Sequence, residues 1–135
     1  MTKNLDNDGL RSIVENYDIF YIDLWGVVHN GITLHKNAIE VLKEITKLKK
    51  QYVLLTNAPR PNKIVRAFLE KMGMNKEIRE KVYSSGEASL NYLKKNYQEQ
   101  KFYHIGPPRD FDLFVEFENN RVNDISESTY LLCTG

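Results

Sequence analysis

Two short apolar runs in this chain end in side chains that could do chemistry. Ile19-Phe20-Tyr21-Ile22 stops at the carboxylate of Asp23, and Tyr52-Val53-Leu54-Leu55 stops at Thr56-Asn57. A carboxylate can attack an electrophilic centre and form a covalent intermediate, splitting one hard step into two easier ones. A hydroxyl and an amide can hold the oxygens of a small anion. Short apolar runs bounded by polar residues read as buried strands. In an open parallel sheet, ligands bind outside the carboxyl ends of the strands. Asp23 and Thr56 are therefore expected at neighbouring strand ends, converging on one small anion. Gly26 permits a sharp turn close to that anion, and His29-Asn30-Gly31 makes a polar bend. Arg60 is expected to be a solvated loop arginine, and His29 a solvent-facing histidine.

Four segments in order carry a resemblance. They are Asp23-Leu24-Trp25-Gly26-Val27, the run Leu54-Leu55-Thr56-Asn57-Ala58-Pro59-Arg60-Pro61, then Tyr83-Ser84-Ser85-Gly86-Glu87-Ala88, and Tyr103-His104-Ile105-Gly106. Together they resemble the haloacid dehalogenase (HAD) superfamily. The likeness is to the branch with a type IIA cap, which includes p-nitrophenyl phosphatase-like and pyridoxal-phosphate phosphatase-like enzymes. The resemblance implies a phosphate-monoester phosphatase working through an aspartyl-phosphate on Asp23. It implies that Thr56, Asn57 and Gly26 bind the small phosphorylated substrate. It further implies Mg²⁺ held by the Asp23 carboxylate and the Trp25 backbone carbonyl.

Two departures matter. The family's first motif reads Asp-x-Asp, and its second Asp is the general acid and base; here that position is Trp25. Indole offers only an N–H donor and can do neither job. His29 is one candidate replacement. The family's later lysine and acidic pair, which follow the cap, also find no match. The resemblance thus covers the N-terminal portion of such an enzyme, with residues 1–98 as the first half of a HAD-like core and 99–135 as the beginning of a cap. A non-catalytic descendant that binds phosphate or a partner is the alternative. A phosphoacceptor receiver domain is disfavoured, because the first strand ends in Asp23 alone and the third is followed by Ser84-Ser85.

The elements that must position these residues follow from periodicity. Strands are expected at Ile19–Leu24, Tyr52–Leu55, Val82–Tyr83, Phe102–Ile105 and Tyr130–Cys133. A flap-like hairpin is expected between Val27 and Leu34. Spacings of three and four at Ala38, Val41, Leu42, Ile45 and Leu48 predict a helix. A second helix runs from Asn62 to a stop at Gly73, and a third follows Ser84, which stands in capping-box spacing to Glu87. Phe111 to Phe117 is expected to be helical. Alternating strands and helices argue an α/β fold, a three-layer Rossmann-type core with a mainly parallel sheet. The polar start, Met1 to Asn7, is expected to fray.

Bulk properties exclude other classes. The net charge of +1 offers no field for nucleic acid or an anionic membrane. No apolar run approaches a membrane span, and no signal-peptide core precedes the first strand. One cysteine, Cys133, leaves no internal disulfide and suits a reducing, cytoplasmic setting. Its apolar neighbours predict a buried thiol. Expected partners are a small phosphorylated substrate and either a second copy of the chain or a complementing C-terminal polypeptide.

Overall fold

The computed structural model describes residues 4–134; of the stretch Met1 to Asn7 expected to fray, residues 1–3 lie outside them, and residues 4–7 instead enter a capped helical turn. By chain contacts the molecule divides into two compact units, Met1–Leu54 and Leu55–Gly135.

In the first unit, a single-turn helix α1 (Leu5–Asp8) is capped by Asn4, whose side chain accepts from the Asp6 amide. Asp8 is the last residue of this turn. Two 3₁₀ turns, Leu10–Ser12 and Val14–Asn16, lead to strand β1 (Ile19–Asp23). β1 is less buried than its apolar run predicts: Phe20 and Ile22 are half-buried, while Ile19 and Tyr21 are exposed. Composition reports apolarity, whereas burial depends on what the rest of the fold lays against each face. Helix α2 (Lys36–Lys47) buries Leu42 and Ile45 along one stripe and ends where Lys49 adopts a left-handed φ of 58°. Strand β2 (Gln51–Thr56) follows, with Tyr52 and Leu54 buried.

In the second unit, helix α3 (Asn62–Lys71) buries Val65 and Leu69. Gly73, at φ 83°, terminates it; the Met74 amide reaches back to the Leu69 carbonyl and closes the exposed helix end. A short helix α4 (Lys76–Arg79), missed in the sequence because one turn carries no periodicity, buries Ile78. Strand β3 (Val82–Ser84) runs directly into helix α5 (Ser85–Asn96). β1, β2 and β3 form a parallel sheet in that order, as an α/β fold requires.

Strands β4 (Phe102–Ile105) and β5 (Tyr130–Cys133) make a separate two-stranded parallel sheet, with Phe102 opposite Tyr130 and Ile105 opposite Cys133. Parallel neighbours need a long crossover. Here it contains three 3₁₀ segments, Pro108–Leu113, Val115–Asn120 and Ile125–Glu127, the first two where an α-helix over Phe111–Phe117 was expected. Phe114, at φ −121°, breaks the helical path between the two segments, and its ring is buried. Phe114 meets Phe102 edge-on at 5.3 Å and Phe111 at 5.3 Å. Leu90, Leu93, Phe102, Leu113, Phe114 and Phe117 form one buried cluster. Cys133, expected to be buried, is exposed, because alternate residues of β5 face away from this cluster. Among the described residues, no helix is long and apolar enough to cross a membrane.

Candidate active site

Asp23 is the last residue of β1, and its carboxylate is exposed. Its Oδ1 accepts the Leu24 amide at 2.7 Å, which fixes the rotation of the carboxylate. The chain then folds back tightly. The Leu24 carbonyl accepts from the amides of Val27, Val28 and His29. Gly26, at φ 76°, donates its amide to the His29 carbonyl at 2.8 Å. A side chain would be strained at that φ, which accounts for glycine here. His29 bridges to both Trp25 and Leu34, and the Asn30 side chain closes the bend by accepting from the Ile32 and Thr33 amides. The expected flap thus exists, its turn chemistry supplied by Asn30 and Gly31.

The solvent-facing His29 does not. His29 is 5% exposed, held edge-on to the Trp25 ring at 5.6 Å. Burial, with a smaller push from His35, moves its pKa below the ordinary histidine value, against an opposing pull from Asp23. Its Nδ1 accepts the Gly31 amide at 2.9 Å. The neutral ring therefore carries its proton on Nε2, and the one lone pair that could accept a proton is already used. His29 is built as a structural link in the flap, and its geometry does not suit a general base. Trp25 is 64% exposed, and its ring lies so close to Gly31 that an added Cβ would sit 2.6 Å from Cη2.

At the end of β2, Thr56 is half-buried and its Oγ1 accepts the Ala58 amide at 3.2 Å, making a local turn. Asn57 is exposed. The 57–61 loop is held by the β3–α5 corner. The Gly86 amide donates to the Ala58 carbonyl at 3.1 Å, as does the Ser85 hydroxyl at 3.1 Å. The Ser84 hydroxyl donates to the Arg60 carbonyl at 2.6 Å while accepting the Glu87 amide as N-cap of α5. The capping box is shared between two helices. Glu87 takes the Asn62 amide, and Asn62 Oδ1 takes the Ser84 amide. At Gly86 a Cβ would stand 2.3 Å from the Arg60 nitrogen, so only glycine lets the loop approach the helix start.

Arg60 is not a solvated loop residue. Its Nη1 donates to Asp112 Oδ2 at 2.9 Å and its Nη2 to the Arg109 carbonyl at 2.9 Å. These partners lie 52 and 49 residues away, beyond any local pattern. The repeated Arg-Asp chemistry of Arg109-Asp110-x-Asp112 was the only available signal.

Mg²⁺ requires near-octahedral oxygen coordination, usually one or two carboxylates completed by water and substrate oxygens. Asp23 and the Trp25 carbonyl supply two donors of the right kind. Among the described residues, no group of three or more His, Cys, Asp or Glu could hold a metal ion. By donor chemistry these two residues suit part of a Mg²⁺ coordination sphere and do not complete one.

A family model described as haloacid dehalogenase-like hydrolase matches residues 20–118. A haloacid dehalogenase-like hydrolase from Brucella suis is 28% identical with a TM-score of 0.77, aligned over 93% of this chain and 45% of that one. A 4-nitrophenylphosphatase from Thermotoga maritima shares the fold at 18% identity and a TM-score of 0.68, over 90% of this chain and 46% of its own. A glycerol phosphate phosphatase from Mycobacterium tuberculosis, solved with magnesium, does so at 19% and 0.65, over 91% and 37%. This chain thus spans less than half the length of each. No curated protein sequence matches it.

Proposed function

Because the chain belongs to the haloacid dehalogenase-like hydrolases, we propose that it supplies the nucleophile-bearing portion of a phosphate-monoester phosphatase. Residues 1–98 are the first half of the core and 99–135 the start of the cap. The observation that carries this reading is Asp23, an exposed carboxylate at the end of β1 within the matched span. One carboxylate oxygen attacks phosphorus, the bond from phosphorus to the leaving oxygen breaks, and that oxygen departs with the bonding electron pair. Water then cleaves the aspartyl-phosphate, returning Asp23 and releasing phosphate. Gly26, Thr56 and Asn57 bind the phosphate oxygens.

Asp23 and the Trp25 carbonyl hold one edge of Mg²⁺, whose charge, when bound, offsets the charge developing on the phosphoryl group. The remaining ligands and the charge-screening lysine come from outside these 135 residues, in a longer form or a complementing polypeptide. The test is hydrolysis of p-nitrophenyl phosphate by the chain with and without a polypeptide carrying the missing motifs. Asp23→Asn should abolish the complemented activity. Full activity in that variant would remove Asp23 from the nucleophile's role. A non-catalytic, phosphate-binding descendant is the second reading, favoured by Trp25 at the acid–base position; phosphate binding without turnover after complementation would select it.

A further inference from the structure

The 57–61 loop is gripped on two sides by different parts of the chain. Its backbone is bonded to the β3–α5 corner through Ala58 and Arg60. The Arg60 side chain leaves in another direction and locks onto the 109–112 segment through Asp112 and the Arg109 carbonyl. Beside it, Asp110 is 2% exposed, with Oδ1 3.8 Å from Arg60 Nη2 and Oδ2 without a hydrogen-bond partner. A buried carboxylate needs a compensating charge, which Arg60 shares with Arg109, whose Nε lies 3.9 Å from the same oxygen. The planar fork of arginine can serve two acceptors at once, which a lysine ammonium on a flexible stem cannot match.

We propose that Arg60 is a positioning residue: locked to the 109–112 segment, it sets the placement of the Thr56–Pro61 loop. The start of the cap and the phosphate-binding loop then move as one body. The proposal deepens the phosphatase reading, since it rests on Thr56 and Asn57 binding phosphate. Gly86 is the second half of the device, because it alone allows the loop backbone to seat.

The test is amide hydrogen exchange, read by NMR on the whole chain. The reporters are the amides of Ala58, bonded to Thr56 Oγ1, and Gly86, bonded to the Ala58 carbonyl. The references are Tyr97 and Leu48, bonded within their own helix ends. Arg60→Ala should speed exchange at both reporters by about tenfold or more and leave the references unchanged. Arg60→Lys should recover only part of the protection. Lys94→Ala, which breaks the exposed Lys94–Glu116 pair, should change neither reporter. Unchanged reporters in Arg60→Ala, or equal speeding at Tyr97 and Leu48, would overturn the proposal, the latter because it signals only lost global stability. A parallel titration with inorganic phosphate follows the Thr56 and Asn57 amides. If phosphate shifts neither in the wild type while Arg60→Ala still loosens the reporters, the coupling stands and the phosphate assignment falls.

Discussion

On the phosphatase reading proposed above, Trp25 bears on how protons move in the reaction. Trp25 stands two residues after Asp23, where the resembled motif carries its acid–base Asp, and its indole ring offers no proton acceptor. His29 does not replace it, since its Nδ1 lone pair is spent on the Gly31 amide. The complemented enzyme should therefore favour leaving groups that depart unprotonated. Trp25→Asp should raise hydrolysis of glycerol phosphate by about 10²–10⁴, the usual worth of general acid–base help, with a smaller gain on p-nitrophenyl phosphate. Comparing kcat/KM for the two esters in both proteins checks it; equal gains would mean that protonation of the leaving group was never limiting. His29 also sets a pH dependence. Its folded pKa lies below its unfolded value, through burial first and His35 second. The unfolded state therefore binds more protons in that window, and stability falls as pH drops below about 6.5. Thermal unfolding from pH 7.5 to 5.5 should show this loss, and His29→Gln should flatten it; an identical slope in the variant would place the effect elsewhere, with His104, whose burial also lowers its pKa, the next group to examine.

At the scale of elements, the β3–α5 corner carries more than a helix cap. Ser84 is 1% exposed; its hydroxyl caps α5 through the Glu87 amide and also donates to the Arg60 carbonyl in the loop. Replacing Ser84 by Ala removes a cap and leaves a polar carbonyl short of its donor. Losses of about 1–3 kcal/mol are expected from the two together. Urea unfolding should show a lower midpoint with an unchanged slope. A change under about 0.5 kcal/mol, typical of an ordinary surface substitution, would show that the corner tolerates its loss.

For the whole molecule, the decisive fact is proportion. The chain covers 45% of the Brucella suis hydrolase it resembles. Among its described residues, no group of three or more His, Cys, Asp or Glu could hold a metal ion. Mg²⁺ should therefore bind the isolated chain only weakly, and phosphate-ester turnover should lie near background. Titration calorimetry and a p-nitrophenyl phosphate assay check the two points. Tight Mg²⁺ binding, or robust hydrolysis lost in Asp23→Asn, would show that these residues suffice alone.

The sequence by itself determined the five strands and the three long helices in order, though not the single-turn α4 or the 3₁₀ form of residues 108–120, because apolar periodicity and local stop signals act within a few residues. Asp23 and Thr56 at strand ends, Gly73 closing α3 and Ser84 opening α5 were all legible for that reason. Local patterns did not reveal contacts between distant segments. Arg60 meeting Asp112, Glu87 turning to Asn62 instead of its own helix, Gly86 yielding space to Arg60, and His29 buried under Trp25 were decided by the tertiary structure. Each depends on which backbone arrives beside a side chain, and that is fixed only when the elements pack.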